Sequence, residues 1–331
     1  IMATIGASYP TLLDVSKNFG ADGNPLPLAE LLSQQNPILD DIPWLEANST
    51  TGHRISVRSG YPDAALRKLN AGVSPSKNNY SDVTESMGLV ASLGIVDKKL
   101  AEMSANVAEF RMRENIGHIE AMNQKFTDLL IYGDTDTTPE GFLGLAPRFD
   151  DITGPNNASQ IIDAGGNDTD LCSIWLVGWG ADSVHGIYPK GSQAGLVHKD
   201  MGEELVSDGN GGQYPALRDW FEWTGGIAVK DWRQIVRIAN IDVSALTKNA
   251  ASGADLIDLM VQATEQMNNR EAVRPVFYVP RVLRSFLRRQ IVNKSNVWLS
   301  TGEVAGRSVT MFDDIPVRRV DKMLLTESRI V

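Results

Sequence analysis

The chain of 331 residues has a single cysteine, Cys172, and only four histidines, so it is poor in thiol and imidazole metal ligands. One cysteine excludes a disulfide framework and a multi-cysteine zinc or iron–sulfur site. No two histidines stand four residues apart, which disfavours a histidine-based metal site. No apolar run approaches the roughly 20 residues that cross a bilayer as a helix, and no signal-peptide pattern opens the chain. We therefore predict no cofactor, no metal and no membrane partner.

Motifs for nucleotide binding and hydrolysis are also missing. Gly178 and Gly180 follow a strand-like run, but the third glycine of a dinucleotide-binding motif is absent, and Trp179 stands where the backbone should approach a pyrophosphate. Asp182 and His185 are residue types of a hydrolase triad, but a triad requires a spatial arrangement rather than adjacency in sequence. We predict that the protein is not an enzyme, and keep a hydrolase using Asp182 and His185 as the third hypothesis.

The net charge of −10 is unevenly distributed. Residues 270–331 contain 12 basic and 6 acidic side chains, a charge of +6, so residues 1–269 carry −16. Within them, residues 131–215 hold 13 acidic and 3 basic side chains, a net charge of −10. This distribution disfavours a general nucleic-acid binder, in which positive charge should dominate one face. It fits a solvated acidic surface with a basic helix, or complementary patches between copies of the chain.

Paired acidic residues occur in two turn-rich stretches, at Asp134 and Asp136 and at Asp168 and Asp170. Alternating carboxylates are typical of calcium ligands, but neither pair matches the twelve-residue calcium loop with its terminal glutamate. Solvated turns explain both pairs better.

Residues 1–51 are predicted to form an arm that lies along another surface. Its prolines interrupt every long element, because each fixes φ and removes an N–H donor; they are Pro10, Pro25, Pro27, Pro37 and Pro43. Between them, short apolar groups such as Leu28, Leu31 and Leu32 are spaced to contact a neighbouring surface. An N-terminal extension packed on its own domain is the alternative, and composition does not separate the two.

A long hairpin is predicted after the arm. Residues 53–61 alternate polar and β-branched side chains, and residues 80–96 form a second extended stretch. The polar tip between them, about 18 residues, includes Lys77, Asn78 and Asn79. Because an isolated hairpin is at best marginally stable in water, this one needs a neighbour on which to lie.

A long helix is the strongest local prediction, over residues 97–131 with Asp97 as its N-cap. Apolar residues keep a 3–4 spacing, although the phase slips near Met112 and Gly117 stands in mid-helix. About 35 residues at 1.5 Å each give a rod of roughly 50 Å, which suits a spine. Gly133 ends it.

The remainder is predicted to be β-rich, with an aromatic core, since five of the seven tryptophans fall between Trp175 and Trp232. We expect Cys172 to be a small core residue and the stretch 200–215 to be a loop. The other predicted elements are strands at 173–179 and 235–243, an amphipathic helix at 253–269, a strand at 276–279, a basic helix at 280–294 and a strand pair within 309–330.

An arm, a hairpin, a spine helix and a β-rich body together resemble the major capsid proteins of tailed double-stranded-DNA bacteriophages, the HK-97-like family. Three pairs of segments carry the resemblance. They are the helix-to-body junction at 129–134 and 139–145, the strand–helix–strand unit at 276–281 and 312–319, and the closing strands at 173–178 and 235–243.

The resemblance implies an α+β fold with peripheral and axial domains. The corresponding ranges are an N-terminal arm at 1–51, an extended hairpin loop at 52–96, the spine helix and junction at 97–150, a β-rich region shared by both domains at 151–250, and a mostly axial region at 251–331. In the familiar order the strand–helix–strand unit comes first and the closing strands last, whereas here 173–246 precede 274–320. We therefore expect a circularly permuted core with the same layout.

The function implied is self-assembly of copies into the hexamers and pentamers of an icosahedral head around double-stranded DNA, with the hairpin lying across an adjacent subunit. The implied partners are the chain itself, a portal, a separate scaffolding protein, a cementing or decoration protein and packaged DNA contacted non-specifically. The implied location is the virion, after assembly and procapsid maturation in the host cytoplasm. The alternative is another self-assembling phage structural protein, a tail tube or baseplate component.

The residues expected at assembly contacts combine the hairpin tip, the arm and the basic helix. They are Lys77, Asn78, Asn79, Trp44, Arg284 and Arg288. Some relatives cross-link subunits through a hairpin lysine, and Lys77 stands where such a lysine would be.

Overall fold

The computed structural model describes residues 34–104, 106–154, 156–208, 211–247, 253–293, 299–304 and 307–331, with the backbone alone at 291–293, 299–304 and 307–309. The first 33 residues of the predicted arm, including Leu28, Leu31 and Leu32, lie outside the described residues. The helices are α1 (Ile38–Asp41), α2 (Lys98–Glu102), α3 (Val107–Tyr132), α4 (Leu256–Gln266) and α5 (Arg281–Asn293). None of the described helices combines the length and the apolar character that crossing a membrane requires.

The described strands run from the end of the predicted arm almost to the end of the chain. They are β1 (Trp44–Glu46), β2 (Gly52–Gly60), β3 (Asn79–Ser86), β4 (Gly88–Asp97), β5 (Ile161–Asp163), β6 (Leu171–Trp179), β7 (Val184–Tyr188), β8 (Val197–Ser207), β9 (Gln213–Val229), β10 (Ile235–Asp242), β11 (Arg274–Val279), β12 (Leu299–Val304), β13 (Arg307–Phe312) and β14 (Ile315–Arg319).

The chain divides into two compact units. The described part of the smaller unit lies in 34–36, Leu89–Asp128 and Gly195–Thr224, and that of the larger unit in Pro37–Gly88, Leu129–Ala194 and Gly225–Val331. The division into arm, hairpin, spine and two β-rich regions stays a prediction.

The predicted spine is two helices rather than one. Asp97 caps α2, as predicted, and its carboxylate accepts hydrogen bonds from the N–H groups of Lys99 at 2.7 Å and Leu100 at 3.4 Å. The chain then leaves the helix, and the carbonyl of the Asn106 side chain accepts from Ala108 and Glu109 N–H at the start of α3. A second N-cap after one short helix explains the break. The 26 residues of α3 span about 39 Å, not the roughly 50 Å expected of one continuous helix.

The predicted loop at 200–215 is wrong, because most of it forms the antiparallel hairpin of β8 and β9. The pairing extends from Val197 opposite Glu222 to Ser207 opposite Gln213, with a bulge between Asp200 and Gly202. At its tip Asp208 accepts from Gly212 N–H at 2.9 Å. Every side chain of β8 is exposed or half-buried, so the strand lacks the apolar alternation by which a sequence predicts one.

A small apolar cluster and an ion-pair network hold the smaller unit together. Val96, Leu100, Ala101 and Phe110 form the cluster. Arg111 of α3 binds Asp200 of β8 and Asp219 of β9 at 2.8–3.2 Å. The network therefore fixes α3 to the hairpin of β8 and β9 within this unit.

Strand β6 is the centre of the sheet in the larger unit, and all nine of its residues are buried. It pairs antiparallel with β10 on one side and with β11 on the other, and β14, β13 and β12 continue the sheet beyond β11. One face, with Cys172, Ile174 and Leu176, packs in a core with α4 and α5. The predictions of both strands, both helices and a core role for Cys172 are confirmed.

The opposite face of β6 holds a buried ionic network. Arg237 of β10 donates to Glu327 at 2.8 Å, to Ser173 Oγ at 3.1 Å and to the carbonyl of Phe149 at 2.7 Å. Glu327 also accepts from Tyr132 Oη, at the end of α3, at 2.7 Å. The network joins the centre of the sheet to the C-terminal segment and the end of α3.

In the strand–helix–strand unit, β11 precedes α5 and lies parallel to β14, with Val279 opposite Arg319. This unit follows β6 and β10 in the chain, as expected from the sequence order. Circular permutation relative to the family stays a prediction.

Candidate assembly surfaces

The predicted hairpin is present in part, as β2 and β3, which pair antiparallel from Gly52 opposite Ser86 to Gly60 opposite Asn79. The second predicted stretch, 80–96, is not one strand, because it divides at Met87 and its remainder lies in β4 (Gly88–Asp97). At one position on β2 a side chain takes the place of a neighbouring strand. The side-chain amide of Asn48 accepts from Arg54 N–H at 2.9 Å and donates to Arg54 C=O at 2.7 Å. The tip covers residues 61–78, and the pairing of Gly60 with Asn79 brings its two ends together. The hairpin is thus a defined ribbon carrying a long tip.

The tip exposes apolar side chains that a folded monomer would ordinarily bury. Leu66 and Leu69 are almost completely exposed, and Tyr61 and Val73 are more than half exposed. Lys77, Asn78 and Asn79 are exposed too, with Asn79 at the start of β3. Single exposed apolar residues are normal on protein surfaces, but a concentration of them on one projecting segment indicates a contact surface.

The base of the hairpin, by contrast, is firmly anchored in the larger unit. Glu85 of β3 forms a two-pronged, buried ion pair with Arg148, with N–O distances of 2.8 and 2.6 Å. Arg148 also donates to the carbonyls of Gly144 and Leu143. Such bidentate pairs add geometric specificity to charge, so they fix the direction in which the hairpin leaves the body.

Apolar contacts complete the anchor. Ile55, with Val57 and Met87, packs against Ile187 of β7 and Ala228 of β9. A β-carbon on Gly226 would meet Ser86 C=O at 2.6 Å, so glycine permits the close approach of the two backbones there. The base is therefore part of the packed body, and only the tip is free to reach elsewhere.

Two histidines meet at this base. The rings of His53 on β2 and His185 on β7 lie edge to face at 5.9 Å between centroids. His185 is fully buried, and neither ring nitrogen has a hydrogen-bond partner among the described residues. Burial first, and then the charge of Lys230, lower the pKa of His185 to about 4. The folded protein therefore holds His185 neutral.

Acid should weaken the hairpin base through His185. Because its pKa is about 4 when folded against an ordinary 6.5, its neutral form is favoured in the fold, and stability is lost as pH falls from 6.5 towards 4. The full difference corresponds to about 3 kcal/mol. Urea unfolding of the unassembled protein at pH 7, 5 and 4 checks this against His185→Phe. The variant should lose less stability than the unchanged chain, and parallel losses would contradict the prediction.

Trp44, expected at an assembly contact, touches its own chain. Strand β1 pairs parallel with β7, and a β-carbon on Gly186 would come within 2.6 Å of the Trp44 ring. Asp41, just before β1, accepts from Tyr278 Oη and pairs with Arg318, both at 3.0 Å. Residues 37–46 therefore belong to the larger unit.

Arg284 and Arg288 of α5 lie beside Arg319, at the end of β14. Arg284 is half-buried and donates to Thr310 Oγ1 at 3.2 Å, while its Nε is buried without an acceptor among the described residues. Burial first, and then the charges of Arg288 and Arg319, lower the pKa of Arg284. Of the three, Arg319 is paired with a carboxylate, Asp321. We call Arg284, Arg288 and Arg319 the arginine cluster; within the described part of the chain, Asp321 pairs with Arg319, and no carboxylate forms an ion pair with Arg284 or Arg288.

The hydrolase arrangement is not formed. Asp182 is fully exposed and lies 3.7 Å from Lys230, whereas His185 is buried. Ser183 Oγ donates to the carbonyl of Gly178 at 2.9 Å. The three side chains therefore make no hydrogen-bonded chain from nucleophile to base to acid.

The two acidic pairs predicted to lie in turns do lie in turns, and their carboxylates accept hydrogen bonds from nearby backbone N–H groups. Asp134 accepts from Asp136 N–H at 2.9 Å, and Asp168 accepts from Thr169 N–H at 2.7 Å. Ligand atoms of Asp168, Asp170 and Asp242 lie within 4.8 Å of one another. Asp242 accepts from Ala245 N–H and Ser244 Oγ, bonds that serve the local turn.

Comparisons with known proteins give one family and one fold. A model of the family described as major capsid protein GP7 matches residues 20–331. A solved structure of bacteriophage epsilon15 is 39% identical to the chain, covers 99% of both chains and has a TM-score of 0.75. The bacteriophage JBD30 capsid is 11% identical, covers 88% of this chain and 93% of its own, and has a TM-score of 0.50, a likeness of fold. A comparison with curated proteins finds no similar sequence. The predicted α+β, HK-97-like fold is confirmed.

Proposed function

The chain belongs to the major capsid protein GP7 family and is a shell-forming protein of a phage head; from this membership we propose that its copies assemble as hexamers and pentamers around double-stranded DNA. The observation that carries the proposal is the family match, which extends over residues 20–331. An anchored hairpin with an apolar, exposed tip supports it. The protein's place is accordingly the virion, and we propose that its assembly takes place in the host cytoplasm.

The hairpin tip lies across an adjacent subunit in this proposal. Leu66 and Leu69 contribute apolar burial that is absent in the monomer, and Lys77, Asn78 and Asn79 contribute polar contacts at the rim. The buried pair of Arg148 and Glu85 supports this role, because it holds the ribbon in one direction. The part of the arm before residue 34 would clamp a further neighbour, whereas Trp44 would act indirectly, through β1.

Electron microscopy tests the proposed architecture directly. Purified, assembled protein in negative stain should show closed polyhedral particles. Rods or rings would instead indicate the alternative, a tail tube or baseplate component, to which the family match gives no support.

We propose that the arginine cluster contacts the acidic surface of a second copy, for which residues 131–215 supply a net charge of −10. Arg288→Glu should then lower the yield of closed particles about tenfold at equal concentration, the effect of roughly 1.4 kcal/mol at an interface. Arg288 is exposed, so urea unfolding of the unassembled variant should be unchanged.

The adjacent exposed residue supplies a matched control. Arg289 lies 3.9 Å from the Phe286 ring centroid and about 100° around α5 from Arg288, so Arg289→Glu should assemble normally. Equal yields from Arg288→Glu and the unchanged chain would contradict the contact.

The remaining partners also belong to this proposal. The net charge of −10 supports non-specific rather than tight contact with packaged DNA. A portal, a separate scaffolding protein and a decoration protein complete the set, and co-purification of heads from infected cells with identification of their proteins tests it.

A further inference from the structure

A groove runs along strand β2, between the hairpin and the body of the larger unit, with a volume of about 1080 Å³. Every residue of 53–59 lines one wall, and residues 229–233, at and after the end of β9, line the other. Side chains of a strand point alternately to its two faces. Because consecutive rather than alternate residues line the groove, it meets the edge of β2 as well as one face.

The edge of β2 that faces away from β3 is occupied at Arg54 and open beyond it. The N–H and C=O of Arg54 both bond to the Asn48 side chain, so they point away from β3. In an antiparallel pair the residues that point outward alternate, so Ser56 and Arg58 present their backbone groups on the same side. Among the described residues, none bonds to these outward groups. Such an edge is a template for another extended segment.

The groove is positively charged although the chain is negatively charged. Five basic and three acidic side chains line it, a charge of +2, whereas the whole chain carries −10. Arg58 lies 5.5 Å from the Tyr61 ring centroid and 5.9 Å from that of Tyr80, and it forms no ion pair within the described part of the chain. On the other wall, Lys230 Nζ is 3.7 Å from the exposed carboxylate of Asp182, longer than a hydrogen bond. Carboxylates that enter the groove therefore meet a cation on either wall.

The open edge and the charge together indicate the kind of partner. We propose that the groove binds an extended, acidic segment of a separate protein, which adds to β2 as a strand beside Ser56 and Arg58. Main-chain hydrogen bonds hold the backbone of the segment, and Arg58 and Lys230 select its carboxylate side chains.

Two other occupants fit the groove less well. The hairpin tip of a second copy does not match its charge, because residues 61–78 contain three basic side chains and one acidic side chain. Single-stranded nucleic acid would meet the same cations, but its backbone has no N–H and C=O groups with which to extend a sheet. The groove lies within one unit of one chain, so its occupation does not depend on the proposed shell.

A peptide probe tests the groove on the full-length, unassembled chain. The probe is a fluorescein-labelled octapeptide in which glutamate and valine alternate, and the control peptide has lysine in place of each glutamate. Fluorescence anisotropy should show saturable binding of the glutamate peptide, at least about tenfold tighter than that of the lysine peptide. The bound peptide should slow hydrogen exchange of the Ser56 and Arg58 amides at least about tenfold. The amide of Arg54 should change little, because Asn48 already accepts its hydrogen bond.

A matched pair of proline variants separates the open edge from general effects on the hairpin. Ser56→Pro removes an N–H that points to the groove, a position at which an edge strand tolerates proline, and the affinity should fall at least about tenfold. Thr84→Pro makes the same change on β3. Thr84 is the register partner of Arg54, so its N–H points to the opposite edge, and the affinity should be kept. Urea unfolding checks that both variants are folded.

A charge variant leaves the backbone edge unchanged. Arg58→Glu should lower the affinity for the glutamate peptide about tenfold and raise that for the lysine peptide. Absence of saturable binding, equal affinities of the two peptides, or equal losses in Ser56→Pro and Thr84→Pro would overturn the proposal. Unslowed exchange at Ser56 and Arg58 would do so too. Binding of an oligothymidylate that Ser56→Pro leaves intact, without binding of the glutamate peptide, would assign the groove to nucleic acid instead.

Discussion

Replacing residues 61–78 with the dipeptide Asn-Gly is expected to give a folded protein that builds no closed shells. Gly60 and Asn79 are register partners at the end of the ribbon, and Asn-Gly is the preferred two-residue link for a hairpin. Hydrogen bonds of the tip, such as those from Ser76 Oγ to Asp63 C=O and from Arg67 Nε to Ala71 C=O, join residues of the tip to one another. Its removal should therefore change the free energy of unfolding by no more than about 1 kcal/mol, while deleting the surface proposed to cover a neighbour.

The measurement is the fraction of protein in closed particles, by sedimentation and microscopy, with urea unfolding as the check on the fold. A matched variant keeps the length of the tip but carries Leu66→Ser and Leu69→Ser. It separates apolar burial from reach, and we expect an intermediate yield of particles. Normal shells from the shortened chain would refute the role of the tip.

The elements predicted correctly are those whose sequences carry a strong local signal. Strand β6 is a continuous apolar run because both of its faces are buried. Helix α5 is amphipathic, with Leu283 and Leu287 in the core and Arg288 outside. In each case the order of apolar and polar residues along the segment follows its burial pattern, so the sequence alone predicts the element.

The errors arise where tertiary context replaces that signal. Strand β8 has no buried side chain, and its backbone pairing with β9 holds it in the extended conformation. The break between α2 and α3 depends on a capping side chain, Asn106, inside an otherwise helical pattern. Polar capping residues also occur within helices, so this signal is weak without the structure.

Sequence reasoning located pieces of the candidate surfaces but not their assembly in space. The spacing of Arg284 and Arg288 in the sequence predicts that they are neighbours one helical turn apart. It does not predict that Arg319, at the end of β14, lies beside them. Glu85 and Arg148 are 63 residues apart, and no motif links them. Residue spacing does not indicate which side chains a sheet brings together, so the sequence alone does not predict the anchor of the hairpin.

Removing the guanidinium of Arg237 should be the most destabilising single change among those discussed. Arg237 and Glu327 are both more than nine-tenths buried and 2.8 Å apart, and Arg237 lies 4.8 Å from the Trp175 ring centroid. Arg237→Met leaves the Glu327 carboxylate buried without its cation, which costs about 3–5 kcal/mol. The free energy of unfolding of the unassembled chain, measured in urea at pH 7, checks this value.

Two further variants show whether the cost comes from the stranded charge. Glu327→Gln added to Arg237→Met removes that charge while keeping an oxygen for Tyr132 Oη, so the double variant should be more stable than Arg237→Met alone. Arg233→Met is the matched surface control, because Arg233 pairs with Asp231 at 2.8 Å but is half exposed, and its loss should cost less than about 1 kcal/mol. If Arg237→Met costs no more than Arg233→Met, the network contributes no more than a surface ion pair. A buried cation should differ from an exposed one because water cannot replace its partner, and this comparison measures that difference within one chain.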